Sequence, residues 1–454
     1  MQREIIRLFS AICLAFGVMF VVTLFWMVWE RDNIILRDDN PRRVLGELNI
    51  QRGDIYDQNG TLLAYTELAN NIQQGGTRIY PYPQVASAIG YYSYQFGQAG
   101  VEEGFNDYLK GNGLRSISTI LEDNLLNQFV VGGDVQTTLD LPTQIALHDA
   151  LKEQRGAGIV VHIPSGAVRA MISAPYFDPN RIEAFQDDES TEFPLLNRVT
   201  AGNYQIGGAL QTTLYGTLLS AGVEPNLEVN IEPMIIDDIL LECALPIADN
   251  TTTLAIAYQF GCPSPFIELT NSNLRLSLIE DAITAAGFAT NPTIEGYPVL
   301  KADADFLLDP EDWRLDAAGQ GELTVTPLQM VEVISAVIND GKGVSLQFVD
   351  AVRYPSTAEW EPLTVNTNTP AIMQPSIARS IVEVLQQNNF GNEILPLYGH
   401  VSVAVSGDQR LYWFLGWIPM ADDESLAIVM VLEGDTLTSE VLLNTLSEFR
   451  DNLP

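Results

Sequence analysis

Lysine, histidine and cysteine are all scarce in this chain of 454 residues, with four, three and three of each. Three cysteines cannot build a disulfide scaffold or a zinc cluster. The histidines, His148, His162 and His400, stand in no cluster with carboxylates at metal-ligand spacing, so neither a metal nor a cofactor is predicted. Positive charge is short overall: 23 Lys and Arg face 58 Asp and Glu, a formal charge of −35. A surface so acidic repels phosphate backbones and anionic headgroups, which excludes nucleic acid as a partner. It suits the solvated surface of an exported domain.

Apolar residues are plentiful, at 46%, enough for a sizeable core. Leu8 to Trp29 holds no charge and would span about 33 Å as a helix, enough to cross a bilayer. Arg3 and Arg7 precede it, whereas Glu30, Arg31 and Asp32 follow. The positive-inside rule then predicts a single-pass signal anchor in the cell membrane, N-terminus cytoplasmic and bulk extracytoplasmic. The run ends in Phe25-Trp26-Met27-Val28-Trp29 without small residues, which argues against a cleaved signal peptide. Cys13 falls in the span. Cys243 and Cys262 fall outside it, where a disulfide or two buried thiols would both be tolerated.

Residues 33–47 read as a juxtamembrane connector. Arg52 to Ala64 reads as a β-hairpin turning at Asn59-Gly60, a pair suited to positive φ at both positions. Gln136–Asp140 is a predicted strand, and Leu141–Gln154 an amphipathic helix with Pro142 in its first turn. His148 on that helix is expected at the surface or its boundary. Gly158–His162 and Ala167–Ser173 form a hairpin, Tyr412–Ile418 and Leu426–Leu432 are strands, and Ser439–Arg450 is a helix. The order suits an antiparallel sheet between helical layers. The predicted division is a tail at 1–7, an anchor at 8–29, a short pedestal at 30–134 and one large domain at 135–454.

Several separated stretches carry a family resemblance. Arg52-Gly53-Asp54-Ile55-Tyr56-Asp57-Gln58-Asn59-Gly60-Thr61-Leu62-Leu63-Ala64 is similar to the R-G-x-x-x-D-x-x-G-x-x-L-A pedestal motif of class B penicillin-binding proteins. Gly90-Tyr91-Tyr92, Gly100-Val101-Glu102 and Leu109-Lys110-Gly111 resemble later pedestal features. Pro175–Asn180, Pro194–Arg198, Gly319-Gln320-Gly321-Glu322, Thr326–Met330 and Trp413–Pro419 follow in the family's order. The resemblance covers nearly the whole chain. It implies an α/β (α+β) penicillin-binding transpeptidase fold, similar to serine β-lactamases, behind a membrane helix and a small β-rich pedestal. The pedestal is short, so no large dimerisation module is expected.

Asn197 to Gln211 resembles the family's active-site segment N-R-x-x-x-x-x-Y-x-P-G-S-x-x-K. The resemblance implies an acyl-enzyme chemistry in which the serine attacks a D-Ala-D-Ala carbonyl and the lysine one turn on takes its proton. Here the serine falls on Gly208 and the lysine on Gln211. A second motif, S-x-N, aligns with Gly261 and Pro263. The third, K-T-G or K-S-G on a strand, holds the substrate carboxylate and aligns with Val405-Ser406-Gly407. Gly407 would leave a bare edge for a ligand backbone to approach, and Ser406 keeps a hydroxyl, but Val405 cannot hold a carboxylate.

The absence does not depend on alignment. Asp107, Asp149, Pro298 and Asn339 stand three residues before the four lysines, and no serine stands two residues before an asparagine. Thr212 and Thr213 follow the lost site but need a base. His400 is the histidine nearest the third motif, yet six strand residues place Ser406 about 20 Å from it. Losing such cooperating groups together costs about 10⁶ in rate. With both cleft lysines gone, so is the charge that would hold an anionic stem terminus.

The prediction is therefore a pseudoenzyme without catalytic residues, a scaffold or regulator in peptidoglycan synthesis during elongation or division. Its expected partners are a wall polymerase or divisome and elongasome proteins, with the peptidoglycan stem peptide as a further ligand. Two alternatives stand beside it: an active D,D-transpeptidase with relocated catalytic residues, and a noncovalent sensor of wall peptides.

Overall fold

A computed structural model describes residues 2–28, 50–68, 76–112, 130–186, 192–299, 314–364 and 369–454. The predicted connector at 33–47 lies outside these. The chain opens with helix α1 (Gln2–Val28), then strands β1 (Ile55–Tyr56), β2 (Leu62–Leu68), β3 (Gly76–Ile79) and β4 (Asp134–Thr137). Helix α2 (Leu141–Leu151) and the hairpin β5 (Gly156–Ile163)–β6 (Ala167–Ala174) come next, followed by helix α3 (Gln211–Ser220). A small hairpin, β7 (Met234–Ile236)–β8 (Ile239–Leu241), precedes helices α4 (Leu254–Gln259) and α5 (Pro327–Ile338). Strands β9 (Val349–Arg353) and β10 (Glu361–Pro362) lead to β11 (Tyr398–Ser406), β12 (Gln409–Pro419), β13 (Ser425–Gly434) and helix α6 (Ser439–Asp451).

Within α1, Ile6–Phe25 has a mean hydropathy of 2.5 and exposed side chains throughout, and its 20 residues can cross a membrane. The pedestal sheet runs in the order β10-β9-β4-β1-β2-β3, so strands from positions 349–362 complete a sheet begun at 55. Its first turn differs from the expected two-residue form. Gly60 alone has positive φ, at 83°, and the Asp57 carboxylate accepts from the N–H groups of Asn59 and Thr61 at 2.9 and 2.6 Å. That buried acceptor stabilises a wider turn, so Asn59 need not enter the left-handed region. Nearby, the fully buried Glu102 accepts from Arg52 Nε at 2.6 Å, Arg78 Nε at 2.7 Å and Tyr80 Oη at 3.0 Å.

The large domain is built on a five-stranded antiparallel sheet, β6-β5-β13-β12-β11. Leu411 to Ile418 is buried on both faces because helices cover both. On one side Tyr412, Phe414 and Ile418 pack with Leu147 and Leu151 of α2 and Leu442, Leu446 and Phe449 of α6. On the other, Trp413, Leu415 and Trp417 join Leu214 and Leu218 of α3 and Leu328 and Val331 of α5. The two-residue period of a strand divides these sets, and each buried Leu, Val or Phe stabilises the fold by about 1.5–3 kcal/mol. The Asp140 carboxylate caps α2, accepting from Thr143 N. His148 is buried, not at the surface: its ring meets Tyr176 edge-on at 4.7 Å. The apolar body of the imidazole fills a gap that the helix pattern alone does not reveal.

Candidate active site cleft at the sheet edge

Strand β11 is the last of its sheet, and three distant stretches converge on its outer edge. A small, narrow cleft there is lined by Gly208, Gln211, Gly261, Pro263 and Val405. Glu242, Gln320 and Arg410 complete its polar wall. Five of the seven positions singled out by motif alignment thus come together.

Gly208 lies in a tight 3-10 turn, Gly207–Leu210, that leads into α3. The turn is pressed onto β11. A Cβ on Gly207 would stand 2.2 Å from Ala404 Cβ, and one on Gly208 would stand 2.9 Å from Ser402 Cβ. Gly207 also takes a positive φ of 50° and donates its N–H to Gly319 O at 2.8 Å. Any side chain at 208 must therefore push the strand away. Gly208→Ala should destabilise the protein by about 1–3 kcal/mol, the cost of overpacking, seen as a lower melting temperature. An unchanged melting temperature would show that β11 yields freely.

Gly261 ends α4 with φ of 64°, and a Cβ there would stand 2.3 Å from Val401 O. Pro263 opens the next helix, Ser264–Asn273. Between them Cys262 forms a disulfide with Cys243, which decides the alternative left open by sequence. The bond links the cleft wall carrying Glu242 to the wall carrying Pro263. Gln211 is buried, and neither atom of its amide has a partner among the described residues.

Ser406 and Gly407 lie outside the cleft lining. Ser406 pairs with Gln409 across a two-residue turn in which Gly407 has φ of 60° and open space around it. The glycine serves the turn, not the approach of a ligand backbone. Ser406 is exposed, His400 is fully buried on the same strand, and the two do not meet. His400 Nε2 donates to Gly208 O at 3.1 Å, and the ring stacks on Tyr258 at 4.6 Å. Burial pushes its pKa down to about 4, against the carbonyls of Gly208 and Tyr258, so the ring is neutral near pH 7. Thr212 accepts from Tyr258 Oη at 3.0 Å, and the Thr213 hydroxyl has no partner among the described residues.

Two residues of the site escape motif reading. Ser402, two residues from His400 on the same face of β11, is fully buried behind Gly208 with an unpartnered hydroxyl. Arg410, the cross-strand partner of Val405, brings a cation into the cleft and pairs with Glu242 at 3.3 Å. The expectation that the cleft has lost its positive charge is thus corrected. Counting outward from the Gly407 turn pairs Val405 with Arg410, which was the available signal.

A sheet enclosed by helical layers, with such a cleft at its edge and a β-rich pedestal, defines the class. Residues 156–445 match the family model of the penicillin binding protein transpeptidase domain, and residues 52–135 that of the penicillin binding protein A dimerisation domain. The chain belongs to the penicillin-binding protein transpeptidase family, and its short pedestal is similar to a domain named for dimerisation.

Among curated relatives, the peptidoglycan D,D-transpeptidase PbpA of Mycolicibacterium smegmatis is 24% identical, covering 91% of this chain and 90% of the relative. PbpA of Mycobacterium tuberculosis is 24% identical over 79% of this chain and 77% of its own. Among solved structures, the imipenem acyl-enzyme complex of penicillin-binding protein A from M. tuberculosis superposes with a TM-score of 0.77 at 21% identity, over 88% of this chain and 99% of that one.

These comparisons correct the reading of the chain as a pseudoenzyme. A relative matching nine-tenths of it and another matching about four-fifths are named D,D-transpeptidases, and the shared fold is one solved as an acyl-enzyme. A motif search tests only hydroxyl and amine groups at fixed sequence spacing. It is blind to groups such as Ser402 that folding brings beside the site.

Proposed function

We propose that this protein acts in peptidoglycan synthesis at the outer face of the cell membrane, as a D,D-transpeptidase with relocated catalytic groups. Its substrate is the stem peptide ending in D-Ala-D-Ala. The observation that supports this reading is the single cleft formed by all three motif segments in a chain that matches D,D-transpeptidases along nearly its full length. Ser402 is the candidate nucleophile, directly behind Gly208. With Nε2–H donated to Gly208 O, the lone pair of His400 lies on Nδ1; neither Nδ1 nor the Ser402 hydroxyl has a partner among the described residues, so proton transfer requires the two to close on each other. Access to Ser402 requires the Gly207–Leu210 turn to lift from β11. The topology that serves this role has Arg3 and Arg7 inside and the acidic bulk outside, divided at 7, 29 and 134.

A second reading is favoured by the glycine at 208 and the valine at 405: contact with a wall polymerase or other elongation and division proteins, as scaffold or regulator. Intact-mass spectrometry of the ectodomain with penicillin G separates the two. One adduct mapped to Ser402, absent in Ser402→Ala, is expected. No adduct under saturating drug would overturn acyl transfer and leave the contact role.

A further inference from the structure

Helix α5 carries a single charged residue, Glu332, between the fully buried Val331 and Val333. Its half-buried carboxylate has neither a hydrogen bond nor an ion pair among the described residues. Burial alone lifts its pKa to about 7, with no neighbouring charge to oppose the shift. A Cβ on Gly287 would stand 3.5 Å from Glu332 Oε2, so the chain facing that oxygen presents bare backbone. Carboxylates taken out of water are normally paired or hydrogen-bonded, and one left without a partner calls for an occupant. There is room for one. Glu332 lines a cavity of about 440 Å³ whose apolar walls are Val344, Leu346 and Ile372, with Glu295 and Ser345 adding polar atoms. That lining holds no Lys, Arg or His. Ile372 also borders a second cavity, of about 230 Å³, against α3. Thr213 lines it, buried and with a hydroxyl that has no partner among the described residues. Neither cavity shares a lining residue with the cleft at β11.

We propose that the cavity beside α5 is a second ligand site, which takes a small organic ammonium. The ammonium sits on Glu332, and its apolar body lies along Val344, Leu346 and Ile372. The volume falls within the range of small-molecule sites, about 300–1,000 Å³. An anion is excluded, because Glu332 and Glu295 stand in the lining without a cation. A divalent metal is disfavoured too. Calcium and magnesium take about six or more oxygen ligands, and among the described residues no group of three His, Cys, Asp or Glu could hold an ion. An inorganic cation would also leave the apolar walls unused. The chain's charge of −35 draws small cations to the whole surface. Selection among them comes from the unpaired carboxylate and the apolar walls beside it, where a charge-assisted hydrogen bond is stronger than in water. The neighbouring cavity past Ile372 leaves space for a longer body reaching Thr213. The site stands apart from the cleft and does not depend on acyl transfer there.

Titration calorimetry of the full chain in detergent tests this, with cadaverine as the probe, pentanediol as its uncharged comparison and magnesium chloride as the inorganic one. Cadaverine should bind at one saturable site per chain, and pentanediol should not. Glu332→Gln keeps the shape of the side chain and removes the counter-charge, so it should weaken cadaverine binding by about tenfold or more. Ile372→Trp fills the cavity while leaving Glu332 in place, and should abolish binding. If both variants bind cadaverine as the original protein does, the diamine is held by the acidic surface at large and the inference falls. Magnesium that displaces cadaverine mole for mole would overturn it as well. Should Glu332→Gln fail to fold, the Ile372→Trp protein still decides between cavity and surface. Neither residue lines the cleft at β11, so a chain that takes no penicillin yet binds cadaverine upholds this inference while overturning acyl transfer.

Discussion

Glu102→Ala should lower the unfolding free energy of the ectodomain by about 3–5 kcal/mol, the cost of stranding a buried charge. Here two charges are stranded, since Arg52 and Arg78 both converge on that carboxylate, with side chains 3% and 4% exposed. Glu102→Gln keeps the shape and part of the hydrogen bonding but still leaves both guanidiniums without a counter-charge, so it should recover only a fraction. The damage should spread beyond the pedestal, because β9 and β10 share its sheet. Burial alone would raise the pKa of Glu102, but Arg78 and Arg52 outweigh it and hold the group below its ordinary 4.5. The stabilisation is therefore complete above that value and is lost as pH falls through the lower folded pKa. Urea midpoints of the three proteins at pH 7 check this; equal midpoints would show that the cluster is dispensable.

His400 should make the protein acid-sensitive in a separate, higher window. Its pKa drops from 6.5 to about 4 on folding. Above pH 6.5 both states hold it neutral and it adds nothing to pH dependence. Between 6.5 and 4 the unfolded chain takes up a proton that the folded one refuses, so stability falls with falling pH, by about 3 kcal/mol across the window. His400→Asn has no titrating group, and its unfolding free energy should lose that part of the slope between pH 7 and 4.5. A variant with the slope of the original protein would show that the acid sensitivity lies elsewhere. The same measurement bears on function. A ring kept neutral under Gly208 has the lone pair that a relocated base requires, and an acid-limited penicillin reaction should follow the folded pKa.

Much of the architecture was legible beforehand because it is written in short periods. The apolar run Tyr412–Ile418 predicted a strand, and β12 contains it; its burial on both faces is seen only in the fold. Pro142 announced the first turn of α2, as observed, whereas Asp140, read as the end of the preceding strand, proved to cap the helix. The alignment of Gly208, Gln211, Gly261, Pro263 and Val405 marked positions that do share one cleft. Other readings failed where the deciding contact lies far off in sequence. Gly407 resembled a ligand-facing glycine until its turn was seen, and His148 a surface or boundary residue until Tyr176 was placed against it. Ser402 belongs to no motif and gains meaning only from a backbone 194 positions earlier that presses on it at Gly208.

The sequence by itself determined the apolar span, the pedestal hairpin and several strands of the large sheet, the order of family features and the absence of a serine–lysine couple. These are properties of neighbours a few residues apart, which backbone geometry converts directly into faces and turns. Only the tertiary structure decided that Arg410 restores a cation to the cleft and pairs there with Glu242, that Cys243 and Cys262 are joined, and that Gln320 meets the edge of β11 at Val405. Those contacts join residues from 19 to 168 positions apart in the chain where sequence spacing carries no geometry, and close packing alone chooses which of them meet.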